Sequence, residues 1–341
     1  MSEDALRVGL IGFGLAGASF HAPLIAATPG LRIGAIVTSD AGRRSQAGRA
    51  HPDAELLDSA ADLWDRADAL DLVVIATPNA SHAPLAEAAL SRNLPTVVDK
   101  PLATSAAEAR ALLDAARQRG TLLTVFQNRR WDGDFLTLGR LIAEGALGRV
   151  HRFESRFERW RPEPKPGWRE SGTPEDAGGI LFDLGSHLID QALVLFGPVA
   201  HVCAEVDRRR PGVRVEDDVF VALEHVSGVY SHLWMSALAA LPGPRLRVLG
   251  DRGGYVKQGL DVQEAVLRAG GSPTDAGYGV EPTEQWGRLG TPESSRPVPT
   301  ERGDWTAFYA GVVAAMREGA PVPVQPEDAL AVLDIIERCR R

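Results

Sequence analysis

A lysine follows an aspartate at the end of an apolar run in "VVDKP" (97–101). An ammonium held there, at the carboxyl edge of a sheet, can stabilise negative charge developing on a substrate oxygen. A solvated loop lysine would do no chemistry. Further along, "DLGSHLIDQALVLFG" (183–197) sets Asp183 and His187 four residues apart, with Asp190 three further on. If a helix begins near Asp183, both side chains share one face, while Leu188, Ala192 and Leu195 lie on another. An imidazole with its ordinary pKa of about 6.5 can exchange a hydroxyl proton near neutrality. Spacing alone favours a plainer assignment, in which Asp183 caps the helix and His187 lies at the surface. Asp183, His187 and Asp190 could also suggest a divalent cation, but no Cys or second nearby His completes a zinc set, and no metal is expected.

The segment "GLIGFGLAG" supplies Gly12, Gly14 and Gly17 around Phe13 in G-x-G-x-x-G spacing. It follows an apolar run and precedes the helix-like "ASFHAPLIAA". In that spacing Gly12 permits the tight turn, Gly14 lets a pyrophosphate approach the backbone, and Gly17 allows close helix packing. The helix N-terminus then offers free N–H groups and the positive end of its dipole to the phosphates. Strand, turn and helix in this order predict dinucleotide binding. The end of the second strand, "IVTSDAGRR", discriminates between NAD and NADP. An acid would hold a ribose 2′-hydroxyl, but Thr38 and Ser39 stand there, with Arg43 and Arg44 close behind. Hydroxyls and guanidinium suit a 2′-phosphate, so NADP is preferred. NAD is the alternative, because a small shift in register would make Asp40 the ribose ligand.

The elements that must position these residues fall into two parts. Up to about residue 126, apolar runs at 6–12, 31–37, 70–76, 95–99 and 121–126 alternate with helix-like stretches such as 83–92 and 105–120. Continuous apolar strands joined by helices predict a doubly wound parallel sheet covered on both faces. From 127 to 341 the pattern changes. Period-two alternation at 149–160, 219–228 and 230–238 predicts an antiparallel sheet, with helices at 134–145 and 185–197 and two more closing the chain. Residues 270–303 are rich in Gly and Pro and read as long surface loops. The fold class is α/β, with a dinucleotide-binding domain over 1–126 and an α+β domain over 127–341.

The 341 residues include 44% hydrophobic ones, enough for a real core. Net charge is −8, from 37 Lys and Arg against 45 Asp and Glu, so no basic field invites nucleic acid. The run Arg208-Arg209-Arg210 precedes Pro211-Gly212 and reads as an exposed hairpin tip. Cys203 and Cys339 have no redox or metal spacing. No secretory leader is recognisable, and no uncharged run reaches the roughly 20 residues needed to span a bilayer. A cytoplasmic location is expected.

Several motifs now stand in one order: the glycine loop, "ATPNASH" (76–82), "DKP" (99–101), "QNRRWD" (127–132) and "DLGSHLID" (183–190). Together they resemble the glucose-fructose oxidoreductase/inositol dehydrogenase (GFO/IDH/MocA) family over essentially the whole chain. "VDKP", "NRRWDGDFLTL" and "GGYVKQGLDVQE" are most similar to its NADP-dependent inositol dehydrogenases and related sugar or polyol enzymes. The resemblance implies a Rossmann domain followed by a domain built on a large, mostly antiparallel sheet. Family members often pair through that sheet, which implies a homodimer or homotetramer. The usual signature is Glu-Lys-Pro, so Asp99 departs from it by one methylene while keeping the charge.

The resemblance also makes Asp183 and His187 a catalytic pair. His187 would exchange the hydroxyl proton, Lys100 would polarise that oxygen beside the nicotinamide, and Asp183 would position the substrate. Pro101 fixes φ and is a candidate for a cis bond. Thr77, Pro78 and Asn79 would pass beside the cofactor riboses, with His82 nearby, and a Pro-Asn turn before a helix is compatible with this. Asn128, Arg129, Trp160 and Trp168 combine hydrogen-bonding groups with indole faces that suit the hydroxyls and C–H faces of a sugar. They suit interdomain packing and salt bridges equally. The reaction implied is hydride transfer between NADP(H) and a hydroxyl or ketone of a cyclic polyol (an inositol) or a sugar. The alternatives are a reductase for a sugar aldehyde, imine or bilin-like compound, and a non-catalytic NAD(P)-binding sensor on the same fold.

Overall fold

The computed structural model describes residues 5–164, 167, 170 and 176–341. The chain forms two compact units, each discontinuous in sequence. The first takes the chain up to Asn128 together with Gln263–Tyr278 and Trp305–Leu330; the second takes Arg129–Val262, Gly279–Asp304 and Ala331–Arg341. A single crossing at 126–127 is therefore not how the chain divides. The reason lies in aromatic packing. Phe308 and Tyr309, on the helix Thr306–Glu318, pack edge-on and tilted against Phe126, with ring centroids 5.0 and 5.9 Å away. They complete the first unit's core.

Six parallel strands make the first sheet: β1 (Leu6–Ile11), β2 (Leu31–Val37), β3 (Glu55–Leu57), β4 (Leu72–Ile75), β5 (Thr96–Asp99) and β6 (Leu123–Phe126). Their spatial order is β3-β2-β1-β4-β5-β6, so the direction of winding reverses between β1 and β4. Ligands bind outside the carboxyl ends of strands at such a reversal. Every residue of β4 is buried, as its uninterrupted apolar sequence requires when helices cover both faces. The helix Ala106–Arg119 starts where the Ser105 side chain accepts the Glu108 N–H and stops at Gly120, whose φ of 63° is left-handed.

The second sheet has eight strands: β7 (Val150–Glu158), β8 (Val199–Asp207), β9 (Asp218–His225), β10 (Tyr230–Ser236), β11 (Leu246–Gly250), β12 (Gly253–Lys257), β13 (Gly287–Gly290) and β14 (Ser295–Val298). Their order is β14-β13-β12-β11-β7-β10-β9-β8, and all pairs are antiparallel except β10 with β7. Alternate residues Val219, Val221 and Leu223 are buried, while Phe220 and Ala222 between them are not. β13 and β14 lie inside the segment read as loops. Their pairing at the sheet edge, rather than an apolar pattern, makes them strands. The arginine run is also corrected. Arg208 and Arg209 are exposed, but Arg210 is buried, with its Nε 2.8 Å from Asp217 Oδ2.

Candidate active site

In the first unit the glycine loop leaves β1 as its spacing demands. Gly12 has a φ of +97°, and a β-carbon on it would lie 2.5 Å from the Ala76 carbonyl oxygen. A β-carbon on Gly17 would run into the Gly12 carbonyl. Phe13 is buried beneath the loop, edge-on to His51. Gly14 differs from both. The nearest neighbour of a β-carbon there would be Arg43 Nη1 at 3.9 Å, so the backbone faces open space beside a guanidinium. This is the room a pyrophosphate needs.

The segment after β2 sorts its charged groups clearly. Thr38 is buried and donates its N–H to Leu57 O, and Ser39 is exposed. Asp40 caps the helix Ala41–Ala50, its Oδ1 accepting the Arg43 N–H at 2.8 Å. One of its two carboxylate oxygens thus serves the helix end. Arg44 is held by Asp58 Oδ1 at 2.7 Å and by Leu56 O at 2.9 Å. Arg43 is exposed, and its side chain has no hydrogen-bond or ion-pair partner among the described residues. The donor set of this corner fits a phosphate-bearing dinucleotide.

Thr77, Pro78 and the buried Asn79 follow β4 and lead into the helix His82–Leu90. The ring of His82 is buried, with Nδ1 2.7 Å from Pro101 O and Nε2 2.9 Å from Thr77 O. Its contribution is therefore positional: it joins the loop after β4 to the loop after β5. Carbonyl oxygens only accept, so both bonds together need both ring nitrogens protonated. Burial pushes the His82 pKa below the usual imidazole range, and the nearby Asp99 pulls the other way.

Lys100 is half-buried at the carboxyl end of β5, and its bond to Pro101 is cis. The Lys100 N–H donates to Asp99 Oδ1 at 2.9 Å. Burial alone would raise the Asp99 pKa, but His21, Lys100 and His82 outweigh it and hold the carboxyl below its usual range.

In the second unit, Asp183 lies in a π-helical turn, Leu181–Gly185, that runs directly into the α-helix Ser186–Phe196. Wide turns of this kind are frequent at functional sites. Asp183 caps neither segment, and His187 is only 5% exposed, so the cap-and-surface assignment fails on both counts. Asp190 is gripped by Arg130, with contacts of 2.8 Å from Nε and 2.6 Å from Nη2. Gln191 accepts from Arg245 Nη2 at 2.8 Å and donates to Arg129 O at 3.0 Å, which anchors the helix carrying His187.

Other residues take roles the sequence left open. Arg129 is buried, 3.1 Å from Asp132 Oδ2 and with its guanidinium carbon 4.7 Å from the Phe157 ring centre. That is the packing alternative. Asn128 is buried at the end of the first unit's leading segment, and Trp160 is 57% exposed. Trp168 lies outside the described residues. "GGYVKQGLDVQE" is structural: Lys257 is buried against Glu281 at 2.7 Å, and Asp261 Oδ2 accepts the Gly133 N–H at the start of the helix Gly133–Ala143. His21 and Tyr309 were not singled out from sequence, because only folding brings their rings together.

Residues 6–127 match the family model described as an oxidoreductase family with an NAD-binding Rossmann fold, and residues 135–256 match the GFO/IDH/MocA C-terminal domain. The chain is 35% identical to scyllo-inositol 2-dehydrogenase (NADP(+)) IolW of Bacillus subtilis (strain 168), over 98% of this chain and 92% of that one. This protein belongs to the GFO/IDH/MocA family. As a member of the family it is an NAD(P)-dependent oxidoreductase. It is also 40% identical to the uncharacterised oxidoreductase YdgJ of Escherichia coli (strain K12), over 98% of this chain and 95% of that one. Among solved structures, the oxidoreductase yvaA of Bacillus subtilis superposes with a TM-score of 0.93 at 34% identity, covering 100% of this chain and 96% of the other. Among the described residues, no helix of this family member is long and apolar enough to cross a membrane.

Proposed function

We infer that this protein transfers a hydride between NADP(H) and a hydroxyl or ketone of a cyclic polyol such as an inositol, or of a sugar. The observation that carries the reading is the uncommitted Arg43 guanidinium beside the open backbone of Gly14, in a chain 35% identical to an NADP-dependent inositol dehydrogenase. Gly12, Gly14 and the following helix start would hold the pyrophosphate; Thr38, Ser39 and Arg43 the 2′-phosphate; Thr77, Pro78 and Asn79 the riboses. The bound nicotinamide supplies the site that accepts or gives the hydride. The protein handles the proton and the charge. His187 takes the hydroxyl proton in oxidation and returns it in reduction. The Lys100 ammonium balances negative charge on the same oxygen. Asp183 accepts a hydrogen bond from the substrate and orients it. The reading includes a cytoplasmic location and a homodimer or homotetramer formed through the second sheet. In support of that assembly, one face of the sheet presents Phe220 and Trp234 with ring centroids 5.1 Å apart.

Two measurements test the reading. A spectrophotometric screen of inositols and aldoses with NADP and with NAD should show turnover, faster with NADP. Tight cofactor binding with no turnover on any of them would instead favour a sensor. Arg43→Ala should raise KM for NADP by roughly 10- to 100-fold, the worth of one charged hydrogen bond to phosphate, with KM for NAD unchanged. An equal change for both cofactors would remove Arg43 from the 2′-phosphate.

A further inference from the structure

His21 ends the π-helical turn after the glycine loop and is fully buried in the first unit. Its ring packs on Phe126, with centroids 4.4 Å apart. Its Nδ1 lies 2.6 Å from the Tyr309 hydroxyl and its Nε2 3.7 Å from Asp99 Oδ1. Tyr309 is also fully buried, and burial, with Asp99 nearby, pushes its pKa well above the usual phenol value. The protonated hydroxyl can donate to Nδ1 or accept from it; donation, the direction the proposal requires, puts the ring proton on Nε2, facing Asp99. At 3.7 Å this is an electrostatic contact rather than a hydrogen bond. Asp99 Oδ1 in turn receives the backbone N–H of Lys100, and on the far side of that lysine His82 Nδ1 meets Pro101 O.

From this arrangement we propose that His21 is a positioning residue for Lys100: its Nε2–H, set by Tyr309, holds the Asp99 carboxylate in the orientation that fixes the Lys100 backbone. The proposal rests on the reading that Lys100 acts on the substrate oxygen. His21 is fully buried, so in this proposal it works through Asp99. The groups facing that carboxylate are His21 from the glycine-loop helix, Tyr309 beyond it, His82 from the helix after β4, and Lys100 itself.

The test compares His21→Leu, which fills the space without a donor, with His21→Gln. The Gln amide can accept from Tyr309 and donate toward Asp99. His21→Leu should lower kcat by roughly 10- to 100-fold, as a misplaced catalytic group does, with KM for NADP(H) unchanged. His21→Gln should retain most of the wild-type kcat. On the protein without cofactor, carboxyl-carbon NMR, with Asp99 assigned by its loss in Asp99→Asn, should show Asp99 titrating roughly one pH unit or more higher in His21→Leu. The sign follows from removing a group that favours the ionised form.

An unchanged kcat and an unchanged Asp99 titration in His21→Leu, with Lys100→Ala inactive, would make His21 a mere core residue and overturn the proposal. Full turnover in Lys100→Ala would overturn the reading beneath it, and that variant alone tells the two failures apart. If His21→Leu does not fold, nitrogen NMR of the wild-type ring decides. A protonated Nε2 with a bare Nδ1 supports the proposal, and a proton on Nδ1, alone or together with one on Nε2, overturns it.

Discussion

Lys100→Ala and His187→Ala should each lower kcat for the proposed polyol oxidation by roughly 10²- to 10⁴-fold, the range of one proton-transfer or oxyanion-stabilising group. NADP(H) should still bind to both variants, measured by quenching of protein fluorescence, because neither change touches the glycine loop. The two losses arise differently. In the proposed reaction, loss of Lys100 would leave the alkoxide beside no cation, and loss of His187 would leave the hydroxyl proton without its acceptor. His187 is only 5% exposed, so bulk buffer has little access to replace it. Removing both should cost much less than the product of the single losses, since each is proposed to serve the same oxygen. Full activity in either single variant would refute its assigned role.

The second large effect is on the glycine loop. Gly12→Ala should destabilise the protein by roughly 2–5 kcal/mol, from left-handed strain together with steric overlap. The φ of +97° and the Ala76 carbonyl 2.5 Å from the added methyl both oppose it. NADP(H) binding should be lost with the turn. Gly14→Ala is the matched control. Its methyl meets only Arg43 Nη1 at 3.9 Å, so thermal stability without cofactor should change by no more than about 0.5 kcal/mol. Its affinity for NADP(H) should nevertheless fall, because the methyl fills the space the pyrophosphate would use. Melting curves with and without NADPH separate the two. Equal stability loss in both variants would contradict the different roles given to the two glycines.

Some of this was readable along the chain. The parallel sheet followed from uninterrupted apolar runs, because strands buried on both faces have no polar side to show. Only the three-residue β3 escaped, since it carries a single fully buried residue, Leu57. β14 has the burial pattern exposed-exposed-exposed-buried, which no periodicity rule can find, and only its pairing with β13 defines it. Within the site, the glycines and Lys100 stood out because their roles depend on backbone position at strand ends. Asp183 and His187 did not stand out. Spacing alone left them as cap and surface, and only the resemblance to a family made them a catalytic pair; the burial of His187 bears on the surface assignment and not on catalysis.

Local sequence therefore determined the five long strands of the parallel sheet, the glycine turn and the placement of Lys100 at the end of β5. These depend on hydrophobic periodicity and on φ, which neighbouring residues set. Tertiary structure decided which charges remained available. The charges of Asp40, Arg43 and Arg44 are the same whether or not the chain is folded, yet folding sets Asp40 Oδ1 on a helix cap and Arg44 on Asp58, leaving Arg43 beside Gly14. It likewise brought Tyr309 to His21 across 288 residues of chain, where a buried ring can orient the carboxylate next to Lys100. Such pairings depend on distance in space and on exclusion of water, and neither is written in the spacing of residues along the chain.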